Sequence, residues 1–283
     1  MDKPRREQLR AKFDQAAGLY DRARPGYPAD LVAELARLAG IAAGSRVLEV
    51  GCGTGQLTVP LAGRGCEIVA LDIGSQMAAR ARRNLARHPA ARVIVAAFED
   101  WSLPALPFDA VVSATAFHWL DPAVRVNKAA DALRPGGALA TIATHHVAGG
   151  DEQFFVEAQG CYARWDPSAP PAGLRLPLAA DIAPDSEELD RSGRFRPATF
   201  RRYEWEKAYS AVAYRELLLT YSGHRALAPE ALKGLLDCIA RLIDSRYNGM
   251  ITKRYLSELR VANRLASDRA VSPATATPGP SGL

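Results

Sequence analysis

The stretch Arg46-Val47-Leu48-Glu49-Val50-Gly51-Cys52-Gly53-Thr54-Gly55 constrains the fold most. A short apolar run, rich in valine, ends directly on three glycines separated by single residues, so a buried strand must turn sharply into whatever follows. Glycine accepts the left-handed backbone of such a turn and lets a ligand approach the main chain. Four more strand-like runs follow, at residues 67–71, 92–97, 108–114 and 138–144. Helix-compatible stretches lie between them, at 56–62, 76–88 and 122–133. Another precedes the first strand, where Leu31, Leu35 and Leu38 recur at helical spacing between Pro28 and Gly40. Strand and helix in alternation predict parallel pairing through right-handed crossovers, a doubly wound α/β sheet covered on both faces. In such sheets ligands bind at the carboxyl ends of the strands, where the strand order reverses.

Two familiar phosphate loops fail at the glycine turn. The dinucleotide pattern G-x-G-x-x-G requires glycine where Gln56 stands, and no lysine follows any of these glycines as a triphosphate loop demands. What remains is G-x-G-x-G after Glu49, with Asp72 closing the second strand about twenty residues on, the spacing that sets a carboxylate on ribose hydroxyls. A nucleoside without phosphates fits both facts.

Composition narrows the class. With 283 residues, 48% of them apolar, the chain buries a full core, and its net charge of +5 is only mildly basic. The longest charge-free apolar stretches, 110–120 and 136–150, fall short of the ~20 residues of a membrane-spanning helix. The polar start of the chain lacks the apolar core of a secretory signal, so a cytoplasmic protein is expected. Cys52, Cys66, Cys161 and Cys238 form no C-x-x-C pair and read as small buried residues, with neither a zinc site nor a disulfide framework. The five histidines show no ligand spacing, so no metal is expected. Basic residues cluster only at 3–12 and 80–87 and read as solvated faces, which makes nucleic acid an unlikely partner.

The order of motifs resembles class I S-adenosylmethionine-dependent methyltransferases. Glu49 through Gly55 resembles the family's E/D-x-G-x-G-x-G motif, Asp72-Ile73-Gly74-Ser75-Gln76-Met77 its D-x-S-x-x-M strand end, and Leu133-Arg134-Pro135-Gly136-Gly137 its L-R/K-P-G-G turn. Tyr20-Asp21-Arg22-Ala23-Arg24-Pro25-Gly26-Tyr27-Pro28 and Ala116-Phe117-His118-Trp119-Leu120-Asp121 are similar to the small-molecule branch that includes trans-aconitate-like enzymes. The resemblance implies a Rossmann-like, mostly parallel seven-stranded sheet with one antiparallel strand, best placed at 250–260, and a helical cap. It implies S-adenosylmethionine as cofactor, S-adenosyl-L-homocysteine as product, and a small-molecule acceptor in a monomer or homodimer.

Carried over by residue, Gly51, Gly53 and Gly55 admit the methionine part, Glu49 holds its ammonium and Arg24 its carboxylate. Asp72 chelates the ribose, Ile73 and Met77 pack on adenine, Phe98 and Glu99 border its edge, and Thr115 lies at the fourth-strand exit beside it. His118 is the candidate base, with Tyr20 beside it, because an imidazole near pH 6.5 suits proton transfer at neutral pH. Tyr27, Trp119, His145, Tyr221 and His224 are the candidate acceptor contacts, with His146 beside them. The aromatic residues Phe117, Trp119, Phe154, Phe155, Tyr162 and Trp165 suggest an apolar or aromatic acceptor. Arg125, Arg164 and Arg175 are possible anchors if it is a carboxylic acid. Along the chain this gives an N-terminal cap over the cofactor (1–30), a cofactor core (31–150), an acceptor cap with C-terminal strands (151–266) and a disordered tail (267–283). Within the third part, 166–184 reads as a loop or lid, 199–206 as a strand, 209–221 as a helix capped by Ser210, and 229–245 as a helix.

Overall fold

The computed structural model describes residues 14, 16–166 and 175–266; residues 167–174 of the expected lid and the whole of the expected tail lie outside these. Helices α1 (Ala17–Ala23) and α2 (Ala29–Leu38) lead into β1 (Arg46–Val50), α3 (Thr58–Ala62), β2 (Glu67–Asp72), α4 (Ser75–Asn84), β3 (Ala91–Val95) and β4 (Phe108–Ala114). Next come α5 (Arg125–Ala132), β5 (Leu133–Gly150), α6 (Glu152–Glu157), α7 (Gln159–Trp165) and α8 (Glu187–Ser192). The chain ends in β6 (Thr199–Ser210), α9 (Ala211–Leu218), α10 (Pro229–Arg246) and β7 (Met250–Asn263).

All seven strands form one sheet in the order β3-β2-β1-β4-β5-β7-β6. Strands β1 to β5 pair in parallel, and β7 runs antiparallel to both neighbours, β5 and β6. One reversed strand therefore sits inside an otherwise co-directional sheet, as the motifs imply. The order reverses between β1 and β4, which are adjacent, so the crevice above their carboxyl ends is where a ligand belongs.

Alternation along β1 explains why both faces are covered. Val47 joins the core beneath α2, with Leu31, Leu35, Leu61 and Ile68, while Leu48 and Val50 face the opposite core with Leu71, Val111, Leu133 and Leu139. Each of these side chains is all but removed from water, which contributes about 1.5–3 kcal/mol apiece. Asp14 caps α4, its carboxylate accepting from the Gln76 and Met77 amides at 2.7 and 3.0 Å, and Asp21 on α1 binds Arg80 and Asn84. These contacts fix the N-terminal segment over the strand ends.

A third core belongs to the cap. Phe154, Phe155, Tyr214, Leu217, Leu235, Ile239 and Ile243 from α6, α9 and α10 pack together over the start of β7. Ser210 caps α9 as expected, accepting from the Ala213 amide at 3.2 Å. Trp165 lies flat enough on α10 that a Cβ at Gly234 would fall 2.5 Å from its ring.

The structure corrects the reading of the cysteines. Cys161 on α7 and Cys238 on α10 form a disulfide across 77 residues, with Cα atoms 5.8 Å apart, whereas Cys52 and Cys66 are free and buried. Sequence spacing could not reveal the bond, because cap packing brings the two helices together. Strands β5, β6 and β7 also extend beyond the expected 138–144, 199–206 and 250–260. Their added lengths are supported by pairing with one another, as at His145 with Leu256 and Ser210 with Met250.

Candidate functional site

The glycine turn is shaped by its neighbours as much as by any ligand. Gly51 and Gly53 stand at φ 74° and 57°, the left-handed region. A Cβ on Gly51 would come within 2.4 Å of the Ala116 Cβ at the exit of β4, so only glycine allows the two strand ends to close. The Gly53 amide donates to one oxygen of the Asp72 carboxylate and the Gly74 amide to the other, both at 2.8 Å. The two amides hold the carboxylate in one fixed orientation at the end of β2. Gly55 does not line the cavity; it packs on Val59 and Thr58 where the turn enters α3, so its role is in closing the turn.

Glu49 ends the strand face begun by Val47. It is 1% exposed, and among the described residues its Oε2 has no hydrogen-bond partner. Burial, with the Asp72 charge adding to it, pushes its pKa up to about 8. A buried carboxyl group with a vacant oxygen at the floor of a cavity is a seat for a cation.

Every other residue of the expected base, cofactor and acceptor-contact set does line this one cavity, whose volume is about 1010 Å³. Ile73, though apolar, is 46% exposed, and it lines the same cavity as the buried Met77 and Phe98. Such a gap between apolar walls suits a flat ring. The Glu99 Oε1 accepts from the Asp121 amide at 3.0 Å, so this side chain also braces the β4 exit. Thr115, at φ 52°, shares a hydrogen bond with the Tyr27 hydroxyl at 2.9 Å. Arg24 donates to Thr220 Oγ1 at 2.8 Å and stacks over Tyr221 and Tyr20, joining the N-terminal segment to the cap.

The second lobe of the cavity opens toward the cap. His118 sits in the single turn Phe117–Trp119, its ring 5.0 Å from that of Trp119. Partial burial and the nearby Arg125 hold its pKa below the ordinary value, leaving a neutral imidazole at neutral pH. Tyr20 is pushed up by burial, which disfavours it as a base. His145 follows on β5, and the Tyr162 hydroxyl meets His224 Nε2 at 2.9 Å. Tyr221 would be raised by burial, but Lys253 and Arg24 outweigh that and lower it.

Several expectations fail here. Phe154, Phe155, Tyr162, Trp165 and Phe117 lie outside the cavity lining, because the cap and the sheet face consume them as core. Arg125 is held by Glu188 at 2.6 Å, Arg164 stacks on Trp165, and Arg175 is exposed, so none of the three reaches the cavity. Sequence reasoning missed Trp205, Lys253 and Tyr255, which do line it. The signal was present: period-two alternation in β7 sets Lys253 in phase with buried Ile251 and Tyr255.

Residues 47–137 match a family model described as a methyltransferase domain. An uncharacterized methyltransferase of Mycobacterium tuberculosis is 37% identical over 137 residues, which are 48% of this chain and 54% of that protein. A malonyl-[acyl-carrier protein] O-methyltransferase of Enterobacter lignolyticus is 40% identical over 97 residues, 34% of this chain and 38% of that one. The chain thus spans about half the length, or less, of these curated relatives. Phosphoethanolamine N-methyltransferase 2 of Haemonchus contortus, solved with phosphomonomethylethanolamine and S-adenosylhomocysteine, superposes with a TM-score of 0.52. Its sequence identity is 16%, over 89% of this chain and 58% of that chain, a likeness of fold alone. Residues 47–137 thus carry a methyltransferase domain by this match, and the order and directions of the strands are those of the class I methyltransferase fold. Among the described residues, no helix is long and apolar enough to cross a membrane, and no group of three or more His, Cys, Asp or Glu could hold a metal.

Proposed function

We propose that the chain transfers a methyl group from S-adenosylmethionine to a small organic molecule with an apolar or aromatic body. The observation that carries this is the continuity of the cavity: one space of about 1010 Å³ joins the glycine turn and Asp72 to the aromatic walls under the cap. The residues present fit the cofactor. The vacant Glu49 oxygen suits an ammonium, the fixed Asp72 carboxylate a ribose diol, and the Ile73, Met77 and Phe98 walls an adenine. When bound, S-adenosylmethionine supplies a methyl carbon already activated by a sulfonium, which the acceptor's lone pair takes in line as the carbon–sulfur bond breaks and its electron pair returns to sulfur.

The protein's work is then mainly alignment, which is worth about 7–11 kcal/mol in favourable cases. The turn fixes one reactant, and the cap and His118 face the other. His118, neutral and next to Trp119, is placed to take the proton of an acceptor that carries one. The small acceptor, the S-adenosyl-L-homocysteine product and a cytoplasmic monomer or homodimer belong to this reading; nucleic acid and membrane do not. Calorimetry with S-adenosylmethionine, followed by transfer of an isotopically labelled methyl group to a panel of small aromatic acceptors, tests it. Binding and labelled product support the proposal; binding without product from any acceptor favours a cofactor-binding module without turnover, and no heat with the cofactor removes both.

A further inference from the structure

We infer that Lys253 is the anion-recognising residue of the acceptor lobe, so that the molecule methylated carries a carboxylate beside its aromatic or apolar body. The inference rests on the methyltransferase reading and specifies its acceptor.

Lys253 is 6% exposed yet lines the cavity, on the face of β7 that also presents Ile251 and Tyr255. Its ammonium lies 3.3 Å from the Tyr221 hydroxyl and over the rings of Tyr221 and Tyr255, at 5.7 and 5.1 Å. No carboxylate pairs with it among the described residues. Its strand neighbours differ: Arg254 pairs with Glu204 and Glu206, and Arg260 with Glu188. A cation taken out of water without a counter-ion is costly, and the cost is offset when a ligand brings the anion.

The surroundings choose the kind of anion. Trp205 stacks on Tyr255 with ring centres 4.4 Å apart and 17° between planes, an extended aromatic wall next to the ammonium. His146 Nε2 is buried with no hydrogen-bond partner among the described residues. Burial first, then Lys253, keep this ring neutral, so it adds a hydrogen-bonding group and no second charge. His224 is held low by the same two causes against the opposing pull of Asp166. One ammonium, a phenol and neutral imidazoles match a single negative charge. Arg24, the other cation against Tyr221, stands at the cofactor side with Thr220 and Tyr20.

The test uses the full chain saturated with S-adenosylhomocysteine, titrated calorimetrically with benzoate and with its neutral counterpart benzamide. The wild type should bind benzoate about tenfold or more tightly than benzamide, the scale of a hydrogen bond to a charged group. Lys253→Met should erase that preference while leaving S-adenosylhomocysteine affinity within about twofold, and Lys253→Arg should keep it. The Lys253→Met apoprotein should melt no lower than wild type, since it sheds an uncompensated buried charge, whereas a merely structural lysine would lower the melting point. Absence of benzoate preference in the wild type, or its survival in a folded Lys253→Met, overturns the inference. A parallel loss of S-adenosylhomocysteine affinity assigns Lys253 to the cofactor and overturns it too. If the wild type fails to bind S-adenosylhomocysteine at all, the methyltransferase reading itself fails.

Discussion

Glutamine in place of Glu49 alters the proton balance of cofactor binding in a way that can be worked out beforehand. With the carboxyl at about pKa 8, roughly 0.9 of the apoprotein molecules carry this proton at pH 7. An incoming ammonium requires the carboxylate, so the proton leaves. The α-amino group of S-adenosylhomocysteine sits beside a free carboxylate rather than a peptide bond and arrives charged at pH 7. Net release at pH 7 is therefore about 0.9 proton per ligand. At pH 9 Glu49 has only ~0.1 proton left to lose, so the release disappears. Binding enthalpies of S-adenosylhomocysteine, measured in buffers of different ionisation enthalpy at both pH values, read these numbers directly. In Glu49→Gln the release at pH 7 is absent. A binding enthalpy independent of buffer at pH 7 in the wild type would refute the assignment of Glu49 to the ammonium.

The other predictions concern separate parts of the molecule. Asp72→Ala removes a carboxylate held by the Gly53 and Gly74 amides and should weaken S-adenosylhomocysteine binding by about tenfold or more; unchanged affinity in calorimetry defeats the ribose role. His118→Ala should slow methyl transfer to an acceptor bearing a proton while sparing cofactor affinity, and full turnover would exclude it as the base. Alkylation of the unfolded, unreduced chain should label two thiols, Cys52 and Cys66, rising to four after reduction. Reduction should lower stability by up to about 4.5 kcal/mol, the loop-entropy value for a closure across 77 residues, seen as a lower melting temperature; four labelled thiols before reduction would refute the pairing.

What the sequence discloses depends on whether the cause is local. The run of Arg46 to Val50 into glycines forms β1 at its expected residues, because strand propensity, burial and turn chemistry agree there. Asp72, Ile73 and Met77 fall into place because they are tied to that turn by a short crossover. The single reversed strand and the Ser210 cap were equally legible. The latter half of β5 was not, since nothing in His145 to Gly150 favours a strand until β7 pairs with it. Phe154, Phe155, Tyr162 and Trp165 were read as cavity aromatics, yet a cap of this size needs them for its own core. Lys253 is legible only through its phase with Ile251 and Tyr255, a weak signal because a lysine in a strand ordinarily faces solvent.

Strand β7 serves two masters along its length. Its later residues, Leu259 and Val261, are structural timber shared with the core beneath α2, whereas Lys253 and Tyr255 line the cavity. A few alternating positions near its start can therefore be rewritten without disturbing the glycine turn. The likeness at residues 47–137 ends well before β7, so kinship there is silent about those few positions.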